Sequence, residues 1–220
     1  MFSLPPVTQA LIVANIAVFI LDSLVGRAIS LTFALWPIGP RFEPWQILSY
    51  AFLHGGISHL LFNMYGLFLF GGDVERVWGT RRYLTFYLFC AVFAGGVQLI
   101  VSTGSGAYYP TVGASGALFG LFAAMLVVYR RIGEDIRSML VWMAVNFLMP
   151  FLVGGIAWQA HVGGFIVGGV FTWLLISGVH ALRGKSLTFR TMVYGAVVLA
   201  LIVAGVLVCN LSNPALTYIM

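Results

Sequence analysis

The sequence predicts an all-α, polytopic membrane protein, and three observations support this fold class. Of the 220 residues, 61% are hydrophobic and only 8% are charged, with a mean hydropathy of +1.02. A soluble domain carries about 25% charged residues and does not expose this much apolar surface. The chain contains seven apolar stretches close to the roughly 20 residues that a spanning helix needs, and its basic residues are concentrated in alternate loops.

We place the spans at 7–26, 50–72, 83–102, 114–129, 138–156, 161–180 and 192–211. The fourth span is short, and Pro150, Gly154 and Gly155 interrupt the fifth. No Pro/Ser-rich linker divides the chain, so we expect a single domain over residues 1–220, with the first span retained. Cys90 and Cys209 lie in separate spans and are expected to be buried free thiols.

The loops predict the orientation. Nine of the eleven basic residues lie in the three loops that follow spans two, four and six, and Arg27 and Arg41 lie in loops facing the other way. By the positive-inside rule, the N-terminus is cytoplasmic and the C-terminus is outside. The net charge of +5 is therefore a topology signal rather than a nucleic-acid site. The compact core and short termini indicate a bacterial plasma membrane.

Spans two, four and six then begin on the outer side, and each carries polar residues near its start. These are His54, His59 and Asn63 on the second span, Ser115 on the fourth and His161 on the sixth. At 1.5 Å per residue, His59 and Ser115 lie about 21 Å above the inner boundary and His161 about 26 Å above it. In an apolar core about 30 Å thick, His59 and Ser115 would lie about 10 Å below the outer surface.

A serine becomes an effective nucleophile when a nearby base takes its proton, and histidine is suited to that task. The two side chains must come within about 2.6–3.2 Å, so the backbones of their helices must approach closely. Small residues permit this in membranes. Gly116 and Gly120 follow Ser115, whereas Gly164 and Gly168 follow His161, each pair at helical spacing.

His59 and Asn63 are four residues apart, so they face the same way on span two and can donate to an oxyanion. The backbone N–H of Ser115, at a helix start, is a third donor. No acidic residue is placed to orient His161, so the sequence predicts a Ser–His dyad rather than a triad. We expect no metal, because no HExxH motif occurs, and no cofactor.

Each of these residues also has a structural interpretation. A lone serine in an apolar helix usually bonds a carbonyl one turn back, and an isolated intramembrane histidine can be a proton relay or a core hydrogen bond. His59 and Asn63 could hold helices together, and the glycines could serve packing alone. Their joint occurrence near one membrane face favours a catalytic site.

Taken together, these residues resemble the rhomboid family of intramembrane serine proteases. Its hallmarks stand here as Gly113-Ala114-Ser115-Gly116, as Ala160-His161 with Gly164 and Gly168, and as His59 with Asn63. Each motif is weak alone, but the ordered set is specific. The resemblance covers about residues 7–180 and implies a six-helix core, leaving the span at 192–211 as one additional C-terminal helix.

The resemblance implies roles for individual residues. Ser115 would be the nucleophile, His161 the general base, and His59, Asn63 and the Ser115 amide the oxyanion hole. Phe119 matches an aromatic position that packs on the catalytic histidine, and His54 matches another family histidine. Gly113 and Gly116 support the serine, whereas Glu75-Arg76 matches a structural signature after the second helix.

The sequence departs from the family at one position, since the first outer loop carries Trp45-Gln46 where Trp-Arg is frequent. The implied activity is hydrolysis of single-span membrane proteins in the lipid bilayer, near their outer boundary. Span five and the segment 155–160 are the candidates for a moving entrance. Two alternatives remain, a catalytically silent rhomboid-like protein that binds membrane clients and a small histidine-dependent transporter. The sequence does not indicate an oligomeric state.

Overall fold

The computed structural model describes residues 4–38, 41–106, 108–153 and 157–212, and these are helices and connections, with a single isolated β-bridge. The α-helices described are α1 (Pro6–Leu24), α2 (Ala28–Phe33), α3 (Gln46–Ser49), α4 (Ile57–Gly66), α5 (Gly72–Trp78), α6 (Thr80–Ser105), α7 (Ser115–Ile132), α8 (Arg137–Val153), α9 (Trp158–Ser177) and α10 (Leu187–Ser212). Single 3₁₀ turns lie at Tyr50–Phe52 and His180–Leu182, and a π-helical segment at Leu67–Gly71 joins α4 to α5.

The all-α membrane architecture predicted from the sequence is confirmed. Five described helices, α1, α6, α7, α9 and α10, are long and apolar enough to cross a membrane. The other two predicted spans correspond to α4 with the π-helical segment that follows it, and to α8, whose apolar part is shorter. The chain is thus an integral, multi-pass membrane protein.

The second span differs from its predicted bounds of 50–72 at both ends. Its helix begins at Ile57 because Leu53 and Gly56 have extended backbone conformations. His54 therefore lies in the connection before the helix and not inside the span. At the other end, the π-helical segment passes directly into α5, so the helical path continues to Trp78.

The carboxylate of Glu75 connects α5 to the start of α1. It accepts hydrogen bonds from the backbone N–H groups of Val7 at 3.0 Å and Thr8 at 2.7 Å, which belong to the first turn of α1. Helix N-termini leave these donors without intrahelical partners, so Glu75 caps α1 from a distant part of the chain. Burial raises the pKa of Glu75, but the hydrogen bonds from Thr8, Val7 and Thr80 outweigh it and lower the pKa below its usual value.

The fifth and sixth spans also differ from their predicted limits. Helix α8 runs past Pro150 to Val153, so the interruption expected at this proline is not observed. Gly154 and Gly155 lie outside the described residues. Helix α9 begins at Trp158, so the end of the predicted connecting segment 155–160 is already helical.

Gln46 organises the first outer connection, where the family often has arginine. Its side chain is 1% exposed. Its amide nitrogen donates to the carbonyls of Thr32 and Arg41, both at 3.0 Å, and its amide oxygen accepts from the backbone N–H groups of Trp36 and Glu43. A neutral amide that both donates and accepts thus closes this loop without a charge.

Helix α7 lies at the centre of the bundle. Its residues from Gly116 to Met125 are all buried, mainly against α6 and α9. Helix α10 packs on the far side of α6, where Ile202 lies against Gly96. The predicted extra span therefore lies on the outside of the bundle, away from the face of α7 that contacts α9.

Candidate active site

Ser115 is the first residue of α7, and the connection before it is held by backbone hydrogen bonds. Thr111 forms an antiparallel bridge with Leu35, and the N–H of Gly113 donates to the carbonyl of Tyr50 at 3.0 Å. Gly113 has φ +133°, a conformation that side-chain-bearing residues rarely adopt. The sequence before the serine thus turns sharply and presents Ser115 at a helix start.

The Ser115 hydroxyl lies 2.7 Å from Nε2 of His161, within hydrogen-bond distance. The two side chains are therefore in contact, although residue counting placed His161 about 5 Å above Ser115. His161 belongs to the first turns of α9 and is only 5% exposed. A buried imidazole at this distance is placed to take the serine proton.

Glycines bring the two helices together. A Cβ atom at Gly164 would overlap the carbonyl oxygen of Gly116, and one at Gly168 would overlap the backbone of Gly120. On its other side, Gly120 packs against Cys90 of α6. The helix backbones are therefore in direct contact, much closer than the 8–10 Å between ordinary helix axes.

Aromatic stacking sets the orientation of the His161 ring. Phe119, one turn after Ser115, lies with its ring centre 4.4 Å from that of His161 and nearly parallel to it, at 20°. Among the described residues, Nδ1 of His161 has no hydrogen-bond partner. None of the described acidic residues lines the cavity beside this pair. The arrangement is a serine–histidine pair steadied by a phenylalanine.

His59 and Asn63 lie on α4 and face the same space. The ideal Cβ position at Gly113 is 2.8 Å from Nε2 of His59 and 3.6 Å from the Ser115 hydroxyl, so both atoms border one small region. The N–H of Gly55 donates to Nδ1 of His59 at 3.4 Å. The side-chain amide of Asn63 donates one hydrogen to the His59 carbonyl at 2.9 Å, which leaves its second hydrogen for another acceptor.

A cavity of about 490 Å³ opens beside these residues, between α4, α7 and α8. Ser115, His161, His59 and Asn63 line one part of it, and Phe119 and Phe122 line another. A smaller space of about 90 Å³ also borders Ser115, next to Gly113 and Ala160. The site is therefore a polar cluster in a largely apolar cleft, the usual setting for substrate binding.

Sequence reasoning missed the contribution of α8 to this cavity. Trp142, Asn146 and Met149 line it and follow the i, i+4, i+7 spacing of one helical face. An asparagine inside an apolar span was the available signal, because buried polar groups in membranes are costly. His54, in contrast, does not line the cavity; it is buried behind His59, with the two ring centres 5.1 Å apart.

In the described part of the chain, no three His, Cys, Asp or Glu side chains are grouped as a metal site. The chemistry that the site offers is that of a nucleophile, a base and hydrogen-bond donors.

Comparison with known proteins assigns the family. The family model described as the Rhomboid domain matches residues 41–178, which is more than half of the chain. The chain belongs to the rhomboid family. Its matched region contains each of the polar residues that border the cavity, from Ser58 to His161.

Curated relatives carry rhomboid protease names. The chain is 32% identical over 181 residues to the rhomboid protease GluP of Bacillus subtilis and 33% identical over 172 residues to the rhomboid protease GlpG of Pectobacterium atrosepticum. It is 30% identical over 191 residues to the GlpG protease of Klebsiella pneumoniae. These matches cover 79%, 74% and 82% of this rhomboid chain but 33%, 60% and 65% of the relatives, so it spans between one third and two thirds of their length.

Proposed function

We propose that this rhomboid is an intramembrane serine endopeptidase that hydrolyses peptide bonds of membrane proteins through a Ser115–His161 dyad. The observation that carries the proposal is the 2.7 Å contact between the Ser115 hydroxyl and Nε2 of His161 at the edge of a cavity. Membership of the family and the protease names of its relatives give independent support.

In the proposed mechanism, the Ser115 oxygen attacks the carbonyl carbon of the scissile bond and its proton moves to Nε2 of His161. The tetrahedral oxyanion accepts hydrogen bonds from Nε2–H of His59, the free amide hydrogen of Asn63 and the Ser115 N–H. Collapse releases the amine, which takes the proton from His161, and leaves an acyl-enzyme on Ser115. Water, deprotonated by His161, then releases the acid and restores the serine.

The proposed substrates are single-span membrane proteins cut near their outer membrane boundary. A helix protects its peptide bonds by intrahelical hydrogen bonding, so we expect cleavage where Gly, Pro or small polar residues weaken the helix. The small space next to Gly113 favours a small residue on the carbonyl side of the cut. We further propose that residues 1–220 form one domain in a bacterial plasma membrane, with a six-helix core at 7–180 and the N-terminus in the cytoplasm.

Neither alternative, a silent client-binding protein or a transporter, requires the contact between Ser115 and His161. A silent client-binding relative does not need a base within hydrogen-bond distance of its serine. A transporter would use intramembrane acids or repeated halves, and none of the acidic residues lines the cavity beside the histidines. Both alternatives predict that Ser115 is chemically inert.

The test compares the purified parent protein with Ser115→Ala and His161→Ala in detergent. Each is mixed with a single-span reporter whose outer boundary is rich in Gly and Ala, and the products are followed on a gel. We expect cleavage by the parent and a loss of at least about a thousandfold in each variant, as for other serine–histidine enzymes. A serine-reactive fluorophosphonate should label the parent and not Ser115→Ala.

Ser102→Ala and His180→Ala are matched controls. The Ser102 hydroxyl donates to the Gln98 carbonyl of its own helix, and His180 lies exposed in a 3₁₀ turn. Both should retain parental cleavage. Equal cleavage by the parent and Ser115→Ala, or a parent that neither cleaves nor reacts with the probe, would refute the proposal.

A further inference from the structure

Arg27 occupies an unusual position in the turn between α1 and α2. Its φ of +70° lies in the left-handed region, and it is the one non-glycine residue with positive φ in the described chain. Such a conformation is uncommon outside Gly, Asn and Asp, so some other interaction offsets its cost. The Arg27 side chain reaches the connection before α4, where it donates to the carbonyls of His54 at 2.8 Å and Gly55 at 3.0 Å.

Asp22 fixes the guanidinium in this position. Asp22 is only 1% exposed. Its carboxylate lies 3.3 Å from the Arg27 guanidinium. It also accepts hydrogen bonds from the N–H and hydroxyl of Ser30, which close the turn around it. The Arg27 guanidinium thus binds both the buried Asp22 carboxylate and the two carbonyls of His54 and Gly55.

The peptide unit between His54 and Gly55 links Arg27 to the candidate site. In a planar trans peptide, the carbonyl and the N–H point in opposite directions. Arg27 binds the His54 oxygen, and the Gly55 N–H of the same unit points to Nδ1 of His59 at 3.4 Å. A cation on the carbonyl also polarises the unit and makes its N–H a better donor.

This contact decides which nitrogen of His59 carries the proton. A neutral imidazole has one donor and one acceptor, so an Nδ1 that accepts from Gly55 leaves the proton on Nε2. Nε2 is the atom that borders the region between Gly113 and Ser115. An oxyanion there requires a donor, and the opposite tautomer would present a lone pair to it.

We propose that Arg27, anchored by Asp22, is a positioning residue that fixes His59 in the tautomer protonated at Nε2, and so prepares the oxyanion hole. The tautomer itself can be measured without any substrate. Its effect on catalysis rests on the proposed protease function.

The first experiment reads the tautomer by ¹⁵N NMR of protein labelled at its four histidines, with His59→Ala identifying the His59 signals. Arg27→Gly removes the guanidinium, and glycine adopts the positive φ without strain. The variant therefore tests the loss of the side-chain hydrogen bonds separately from any change in backbone strain. We expect the parent to hold the proton on Nε2 and Arg27→Gly to show a substantial Nδ1–H population. Arg41→Ala, which removes the other outer-loop arginine, should behave as the parent.

The second experiment measures kinetics on the same reporter. We expect Arg27→Gly to lower kcat about tenfold or more with little change in KM, because oxyanion donors act in the transition state. In a His59→Ala background, the same substitution should cause no further loss, since Arg27 acts through His59.

The proposal is overturned if His59 keeps its parental tautomer in Arg27→Gly, or if Arg27→Gly lowers kcat as much in His59→Ala as in the parent. Should Arg27→Gly fail to fold in a thermal melt, Arg27→Asn replaces it, since asparagine tolerates this φ and is too short to reach the carbonyls. A parent that does not cleave refutes the protease function, and the NMR result then still decides whether Arg27 fixes the tautomer.

Discussion

At the scale of single residues, the candidate site depends on where hydrogen atoms and van der Waals surfaces lie around Ser115. The region between Nε2 of His59 and the serine hydroxyl is open because Gly113 has no side chain. The same glycine adopts φ +133°, so it serves both the turn and the open space. A single methyl group at this position should therefore affect the chemistry as well as the backbone.

Gly113→Ala should lower kcat at least about a hundredfold, as expected when an oxyanion donor is displaced. Its Cβ would lie 2.8 Å from Cε1 and Nε2 of His59. Gly106→Ala is the matched control, since Gly106 also has positive φ, at +70°, but no atom of the described residues lies within 4 Å of an added Cβ. Both variants should lose some stability in a thermal melt, and only Gly113→Ala should lose cleavage. Similar cleavage by the two variants would contradict the assignment of the oxyanion region.

At the scale of elements, two contacts between helices determine the site and the bundle. The backbones of α7 and α9 touch at their glycines, and this contact brings Ser115 to His161. The carboxylate on α5 caps the first turn of α1, which ties the start of the chain to the end of the second span. Each contact has a neighbouring residue that makes a suitable control.

Gly164→Ala should abolish cleavage, because its methyl group would overlap the Gly116 carbonyl and force α9 away from α7. Gly169 lies on the same helix, and a Cβ added there would meet, among the described residues, the Cβ of Ala123 at an ordinary 3.4 Å. Gly169→Ala should retain cleavage and gain up to about 0.5–1 kcal/mol of stability from the better helix former. Fluorophosphonate labelling and thermal melts measure both effects. Retained labelling in Gly164→Ala would show that the helices need not touch for Ser115 to be activated.

Glu75→Gln should destabilise the fold by about 1–2 kcal/mol, the usual cost of weakening a buried, charge-assisted cap. Asp73→Asn on the same helix breaks an exposed ion pair with Arg76 and should cost less than about 1 kcal/mol. Unfolding in mixed micelles measures both. An equal loss in the two variants would mean that the Glu75 cap contributes little.

The contribution of the Glu75 cap to folding stability depends on pH. Since the pKa of Glu75 is lower in the folded chain than its usual 4.5, its contribution to stability is present above the unfolded-state pKa. It is lost as the pH falls through the folded-state pKa. The parent should therefore lose stability on acidification more steeply than Glu75→Gln, and parallel acid curves would count against this linkage.

At the scale of the whole molecule, hydrophobic length and loop charge were sufficient to predict a multi-pass helix bundle, and the ordered motifs were sufficient to indicate the family. The start of the second helix was mispredicted because residues 50–56 read as part of an apolar run, whereas Leu53 and Gly56 have extended backbones and the helix begins only at Ile57. The contacts of Arg27 with the connection before α4 could not be predicted from the sequence, since these partners lie 27 and 28 positions away. Counting residues placed His161 about 5 Å above Ser115, whereas their side chains lie 2.7 Å apart. A residue count includes neither helix tilt nor the reach of a side chain.

The orientation of the bundle is the remaining prediction at this scale, and it decides on which side of the membrane substrates are cut. Gly106 at the end of α6 and Gly133 at the end of α7 form a matched pair for testing it. Both have positive φ and open space around an added Cβ. If nine of the eleven basic residues face the cytoplasm, Gly106 lies outside and Gly133 inside.

In a Cys209→Ala background, a membrane-impermeant maleimide should therefore label Gly106→Cys in intact cells and label Gly133→Cys only after permeabilisation. The remaining native thiol, Cys90, is fully buried and should not react. The reverse pattern would place the Ser115 end of α7 on the cytoplasmic side, because α7 begins after the connection that follows Gly106 and ends at Ile132, just before Gly133. The cavity would then open towards the cytoplasm, and the proposed cut near the outer boundary of substrates would be wrong even if Ser115 and His161 were catalytic.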